Sequence, residues 1–194
     1  MSVTRTRLLW LSGRSDPSSV ALSPAQRSLL QGCQDTYPDL DVVPCNFPYR
    51  GDSRWRGVPL PLAALRNGAQ FLAAAWPAQR RQAEVVWRTV CSDARRVLVL
   101  TGSCGAELLR TVEGATPPDV AVSALALGPV AWRAPQSLSL AVVGDRDRIA
   151  AAFVRRWRVP YLTEVAGVGH MDYLETAEVR RIVVRWIGEQ GASG

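Results

Sequence analysis

The sequence predicts an α/β fold: a three-layer α/β/α sandwich around a mostly parallel six-stranded sheet. Two observations predict it. Six short apolar runs alternate with helical patterns along the 194-residue chain, and strands that alternate with helices form parallel sheets covered on both faces. Several runs, such as Val97-Leu98-Val99-Leu100, are continuously apolar, as strands buried on both sides are. No linker, internal repeat or low-complexity segment interrupts the pattern. The chain therefore reads as one domain over residues 1–194, long enough to bury a full core.

In order, Arg7 to Leu11 is the first strand, and Ser12 to Ser19 is the loop that ends it. A helix follows, with Ser23 as N-cap and Pro24 at its first position, ending near Gly32. Leu40 to Cys45 is the second strand, and Pro44 predicts its end. Asn46 to Pro61 is irregular and reads as a long surface loop. Leu62 to Ala75 reads as a short helix. Pro77 opens a better one through Ala94, with Ala83, Val86, Trp87, Val90 and Ala94 at helical spacing. Val97 to Leu100 is the third strand, and a helical run opens at Glu107. Two buried strands follow: Asp119 to Leu127, stopped by Gly128-Pro129, and Leu138 to Val143, stopped by Gly144. Ile149, Phe153 and Trp157 mark a helix face, and Tyr161 to Val165 is the last strand. Val179, Ile182, Val183, Trp186 and Ile187 form the core stripe of the final helix.

The formal charge is +6, and every basic residue is arginine. A basic balance is one sign of nucleic-acid binding, but these arginines are dispersed, a pattern that genomic base composition explains. No nucleic-acid partner is expected. No apolar run is long enough for a bilayer, and Leu8 to Leu11 is too short for the core of a signal peptide. The expectation is a cytoplasmic protein with no membrane partner. The cysteines form no CxxC pair, and the chain has a single histidine. Neither a P-loop nor a GxGxxG motif is present. No metal and no organic cofactor is expected, and Cys33, Cys45 and Cys91 read as small buried hydrophobes.

Thr101-Gly102-Ser103-Cys104-Gly105-Ala106 lies between a strand and a helix. Strand, tight turn of small residues, helix is the setting of a nucleophile elbow. Small neighbours are needed there because the nucleophile takes a strained backbone and the helix passes close to the strand. The competing reading is a glycine-rich turn that cradles phosphate. His170 sits in a glycine-rich loop after the last strand, and Asp147 in Gly144-Asp145-Arg146-Asp147 after the preceding one. All three thus lie beyond the C-terminal ends of strands, where open α/β sheets place their sites. The linear order is Ser103, Asp147, His170.

On these residues the chain resembles the α/β-hydrolase family, from Arg7 to Glu189. Thr101 to Ala106 resembles its nucleophile elbow, with threonine in the usual first glycine position. Gly144 to Asp147 resembles its acid turn, Val168-Gly169-His170 its histidine loop, and Ser12-Gly13-Arg14 its early oxyanion loop, with serine replacing histidine. The resemblance implies a minimal α/β-hydrolase fold whose six strands match the family's third to eighth. The stretch between Ser103 and Asp147 leaves no room for a lid domain. It also implies roles. Ser103 is the nucleophile, His170 the base that activates it, and Asp147 the group that fixes the imidazole. Imidazole suits the task because it titrates near neutrality. The Cys104 N–H and that of Arg14 or Ser15 are the expected oxyanion donors.

Two assignments stay open at this point. Cys104 also fits a glycine-x-nucleophile-x-small pattern, but that register puts Glu107 where the helix packs on the strand, whereas the serine register puts Ala106 there. Asp145 is an alternative acid, with the family spacing favouring Asp147. Asp172 is expected to cap the final helix.

The expected function is a serine hydrolase acting on an ester or thioester of a small-molecule acyl substrate. An acyltransferase or cyclase would use the same triad, and a non-catalytic hydrolase-fold binding protein is the third reading. Arg14, Arg50 and Arg146 each follow a strand on the edge that carries Ser103, and Trp132 beside Arg133 is a candidate apolar wall. Arginine's planar fork suits phosphate, so a carrier-protein or coenzyme A thioester is one expected substrate class. The competing account is chance, since every basic residue is arginine. The sequence does not indicate an oligomeric state.

Overall fold

The computed structural model describes residues 5–47, 51–74, 76–157, 159 and 161–192. Six strands form one sheet: β1 (Thr6–Ser12), β2 (Asp41–Phe47), β3 (Arg96–Gly102), β4 (Ala121–Leu127), β5 (Leu138–Gly144) and β6 (Leu162–Val165). Their order is β2-β1-β3-β4-β5-β6, and every pairing is parallel. The helices are α1 (Pro24–Thr36), α2 (Leu60–Ala73), α3 (Pro77–Cys91), α4 (Gly105–Val112), α5 (Arg148–Val154) and α6 (Ala177–Ile187). After β1 the chain runs outward to β2, then returns to pair β3 on the other side of β1. That reversal opens a crevice at the C-terminal ends of β1 and β3, the usual place for a ligand in such a sheet.

Both faces of the sheet are covered. On one, Leu8, Trp10, Leu98 and Leu100 meet Leu29, Leu30 and Cys33 of α1 and Val179, Val183 and Trp186 of α6. On the other, Leu9, Leu11, Val97 and Val99 meet Trp87 and Cys91 of α3 and Leu108, Leu109 and Val112 of α4. Alternate residues of one strand thus enter different cores, which is why β1 and β3 read as continuous apolar runs. The α6 stripe is core packing, as the sequence indicates: Val179, Val183, Trp186 and Ile187 are buried.

Several boundaries and faces differ from expectation. Helix α1 begins with the expected Ser23 capping box but passes through Gly32 to Thr36. A Cβ at Gly32 would meet nothing, and this half-buried glycine does not end the helix. Strand β2 continues past Pro44 to Phe47. It lies at the sheet edge, and its pairing with β1 shifts register between Leu8↔Val42 and Trp10↔Asn46. Proline is tolerated at such an irregularity because no ladder N–H is required of it. The edge position also leaves Cys45 only half-buried. Helix α4 starts at Gly105, two residues before Glu107, and α3 stops at Cys91. In α5 the core-facing residues are Ala150 and Val154, while Ile149 is exposed. The Ile149–Phe153 stripe therefore faces the crevice edge rather than the sheet.

Candidate active site

The elbow is built by close packing. Ser103 has φ +50°, the one non-glycine residue with positive φ among the described residues. That conformation is costly for a side-chain-bearing residue and persists only where its surroundings fix it. Here the Ser103 N–H donates to Leu127 O at 3.1 Å, and Val130 N–H donates to Ser103 O at 3.0 Å. A Cβ at Gly105 would collide with the Leu11 carbonyl oxygen. The residue that needs to be small for α4 to cross β1 is therefore Gly105, with Ala106 also fully buried beside it. Glu107, far from clashing, is buried too and pairs with Arg110.

Ser103 Oγ lies 3.0 Å from His170 Nε2, and His170 Nδ1 lies 2.8 Å from Asp147 Oδ2. An ionised carboxylate only accepts, so Nδ1 carries the proton and Nε2 accepts from the serine hydroxyl. Asp147 is 1% exposed. Burial works to raise its pKa. The hydrogen bonds from His170, Ala150 N–H and Tyr173 Oη–H outweigh that, and the carboxyl is held below its ordinary value. Ala150 N–H donates to Oδ1 at 2.9 Å, so Asp147 also caps α5.

This acid has three supports: Tyr173, which the sequence analysis did not single out, and Gly128 and Gly144, which it took as strand ends, the latter also as the start of the acid turn. Tyr173 Oη–H donates to Asp147 Oδ2 at 2.7 Å and accepts from Gly144 N–H at 2.8 Å. Burial, helped by the Asp147 carboxylate, raises the Tyr173 pKa, so the phenol remains a donor. Gly128 has φ +53°, and a Cβ there would come within 2.6 Å of the Tyr173 ring and 2.9 Å of Asp147 Oδ2. Gly144 lets the chain before His170 approach β5, since a Cβ would strike Val168 O. The available signals were a tyrosine three residues after the histidine and glycines ending two successive strands.

The open assignments separate in the structure. The partner of His170 is Asp147, whereas Asp145 is exposed and its Oδ1 accepts Gly167 N–H at 2.8 Å. Cys104 is buried, and burial pushes its thiol up to about 12 against the opposing backbone N–H groups of Cys104 and Gly13. A buried, protonated thiol is a poor nucleophile. Asp172 does not cap α6, whose N-cap is Thr176. Its carboxylate instead accepts Gly169 N–H at 2.9 Å, fixing the turn before His170.

Of the expected oxyanion donors, Cys104 N–H stands at the start of α4, next to Ser103. The Arg14 N–H is engaged by Gln70 Oε1 at 2.7 Å. Around Ser103 and His170 opens a cleft of about 710 Å³, lined by Gly13, Arg14, Asn67, Phe71, Val130 and Ile149 among others. Arg56, also at the cleft, pairs with Asp52 at 3.2 Å. Arg146 is exposed and does not line the cleft, and Arg50 lies outside the described residues. Trp132 is half-exposed beside the cleft and packs against Phe71 with the rings tilted by 43°. Of the expected arginines among the described residues, Arg14 lines the cleft and Arg146 does not. Among the described residues no group of His, Cys, Asp or Glu is placed to hold a metal ion, and no helix is long and apolar enough to cross a membrane.

No protein-family model and no curated protein matches the chain. Solved structures do. The chain is similar to a predicted CIB-like hydrolase from Thermoplasma acidophilum, at 16% identity over 97% of this chain and 89% of that one, with TM-score 0.58. It is similar to an Agrobacterium tumefaciens protein of unknown function described as an α/β-hydrolase candidate, at 14% identity over 96% and 86%, TM-score 0.56. It is also similar to an esterase from Pyrococcus furiosus, at 14% identity over 96% and 83%, TM-score 0.52. At these identities the likeness is one of fold, and the fold is that of the α/β hydrolases.

Proposed function

We propose that this α/β-hydrolase fold carries a serine hydrolase that cleaves a carboxylic ester or thioester through an acyl-enzyme on Ser103. The observation that carries the reading is the unbroken hydrogen-bonded chain from Ser103 Oγ through His170 to Asp147 at the floor of an open cleft. A serine held at positive φ by its neighbours and joined to a base that a buried carboxylate orients is a preorganised nucleophile.

Ser103 Oγ attacks the substrate carbonyl carbon as its proton passes to His170 Nε2. The resulting oxyanion is met by Cys104 N–H, and the imidazolium by the Asp147 carboxylate. Collapse breaks the bond to the leaving oxygen or sulfur, which takes the proton from Nε2. Water then attacks the acyl-enzyme, gives its proton to Nε2, and releases the carboxylic acid as Ser103 recovers its hydrogen. Tyr173 keeps Asp147 ionised throughout by donating to the oxygen that also receives His170.

Fluorophosphonate labelling tests the assignment. One label per chain is expected, absent in Ser103→Ala together with turnover of p-nitrophenyl esters, a loss on the order of 10⁶. Cys104→Ala should remain labelled, because its backbone N–H survives. Labelling that persists in Ser103→Ala overturns the reading. An added alcohol or amine that diverts most product from the free acid would make the enzyme an acyltransferase instead.

A further inference from the structure

Beside the reacting groups stands a cluster whose members come from three separate elements. Phe71 of α2 lines the cleft. Behind it are Trp132 from the β4–β5 connection and Phe153 of α5. Phe71 and Trp132 have centroids 5.3 Å apart, and Phe153 lies 5.8 Å from each, edge-on to both. Such tilted contacts add to the stability that area burial alone confers. Ile149, one turn before Phe153, extends the apolar surface along the cleft and is 52% exposed.

The cluster is tied to the nucleophile by a buried carboxylate. Glu107 is 1% exposed, accepts Trp132 N–H at 3.1 Å and is paired with Arg110. The same segment is bonded to Ser103 at Leu127 and Val130, and Trp157 Nε1–H donates to Ala131 O at 3.1 Å. Ser103 and Glu107, on one turn of chain, thus hold the two ends of residues 127–132. A buried carboxylate aimed at a surface tryptophan's backbone has no part in the acyl-transfer steps.

We propose that Phe71, backed by Trp132 and Phe153, is the specificity wall for an apolar chain of the ester, and that Glu107 is a positioning residue for that wall. The proposal rests on the serine-hydrolase reading of the same cleft. The chain belongs either to the acyl group or to the alcohol. Burying one methylene changes affinity by about fourfold, so a wall of this size discriminates between short and medium chains.

The experiment compares kcat/KM for p-nitrophenyl acetate and hexanoate, varying the acyl side, and for ethyl and hexyl acetate, varying the alcohol side. The wild type should prefer the six-carbon member of one pair by about tenfold or more. Phe71→Ala and Trp132→Ala should each reduce that ratio at least fivefold, mainly through KM. Glu107→Ala should reduce it in the same direction, and Glu107→Gln, which keeps an acceptor for Trp132 N–H, should restore it. Leu65→Ala, on the outer face of α2, should leave it unchanged. Calorimetric binding of the two p-nitrophenyl esters and of the two acetates to Ser103→Ala, with and without Phe71→Ala, reads the wall without turnover. Phe71-dependent binding with no hydrolysis by the wild type would sink the hydrolase reading and leave the wall intact. A six-carbon preference in neither pair, or one unchanged in Phe71→Ala and Trp132→Ala, would overturn the wall. Loss in Glu107→Ala that Glu107→Gln does not restore would overturn the role of Glu107.

Discussion

Helix α2 lines the cleft and α4 meets it at its N-cap Cys104, yet every residue of α4 except Arg110 is buried, whereas none of the side chains from Pro61 to Ala73 in α2 is. Helix α4 is positioned by apolar packing against the sheet, and a glycine at its start is set by the Leu11 backbone beneath it. Helix α2 is held by the Phe71 ring contacts with Trp132 and Phe153 and by polar contacts to one loop: Arg66 donates to Ser15 O at 2.9 Å, Asn67 to Ser15 Oγ at 3.4 Å, and Gln70 accepts from Arg14 N–H. Its outer residues Leu65 and Leu72 are exposed. The contrast separates two tasks. The strained elbow at Ser103 sits on the packed core, and the lining of the cleft is drawn in part from an element with few buried side chains, the kind of element that opens most easily.

The contrast can be broken or sharpened by substitution. The largest effect is expected on the packed side. Asp147→Asn should keep the fold but reduce ester turnover about 10⁴-fold, because an amide no longer selects the tautomer that leaves Nε2 free; steady-state kinetics with p-nitrophenyl acetate read it. Next, Gly105→Ala should destabilise the protein by more than about 3 kcal/mol in urea unfolding, since backbone rather than a flexible side chain blocks the new methyl.

Tyr173→Phe comes third, at about 1.5–3 kcal/mol for a lost hydrogen bond to a charged group. Its pH dependence has a definite sign. The Asp147 pKa is depressed in the folded state, so its contribution to stability is complete above the unfolded value of about 3.9 and is lost as pH falls through the folded one. Tyr173 assists that depression. The stability gap between wild type and Tyr173→Phe should therefore be widest at neutral pH and narrow in acid, as denaturant titrations at several pH values will show. The smallest effect is expected in α2. A Cβ at Gly68 meets nothing within 4 Å, so Gly68→Ala should stabilise by about 0.5–1 kcal/mol through helix propensity. One and the same change, glycine to alanine, thus has opposite signs on the two sides of the cleft. A destabilising Gly68→Ala would show that α2 is packed more tightly than its exposure indicates.

What the sequence made legible follows the same division. Six strands, their order along the chain and the placement of Ser103, Asp147 and His170 could be read because apolar runs and turn residues are local signals. The face of α5 could not: Ile149 and Phe153 are apolar, but they serve the cleft, and periodicity does not distinguish a core stripe from a lining one. Pro44 misled because its cost depends on whether a strand is central or at an edge, a fact of topology. Tyr173 was not found, and Gly128 was read only as a strand stop, since their value lies in meeting Asp147 from 26 and 19 positions away in sequence. Arg14 shows the limit from the other side. Its position after β1 was read correctly, but the partner that takes its N–H stands on α2, 56 residues on.

The hydrogen bond between His170 Nδ1 and Asp147 Oδ2 also gives the molecule a built-in reporter. A proton that imidazole donates to a buried carboxylate is strongly deshielded, so it resonates downfield of the amide envelope. With one imidazole in the whole chain, the competing signal is the Tyr173 phenol proton on the same carboxylate oxygen, and Tyr173→Phe tells the two apart. Its shift and exchange rate then follow acid–base coupling, inhibitor capture and cleft opening directly, in the unmodified protein.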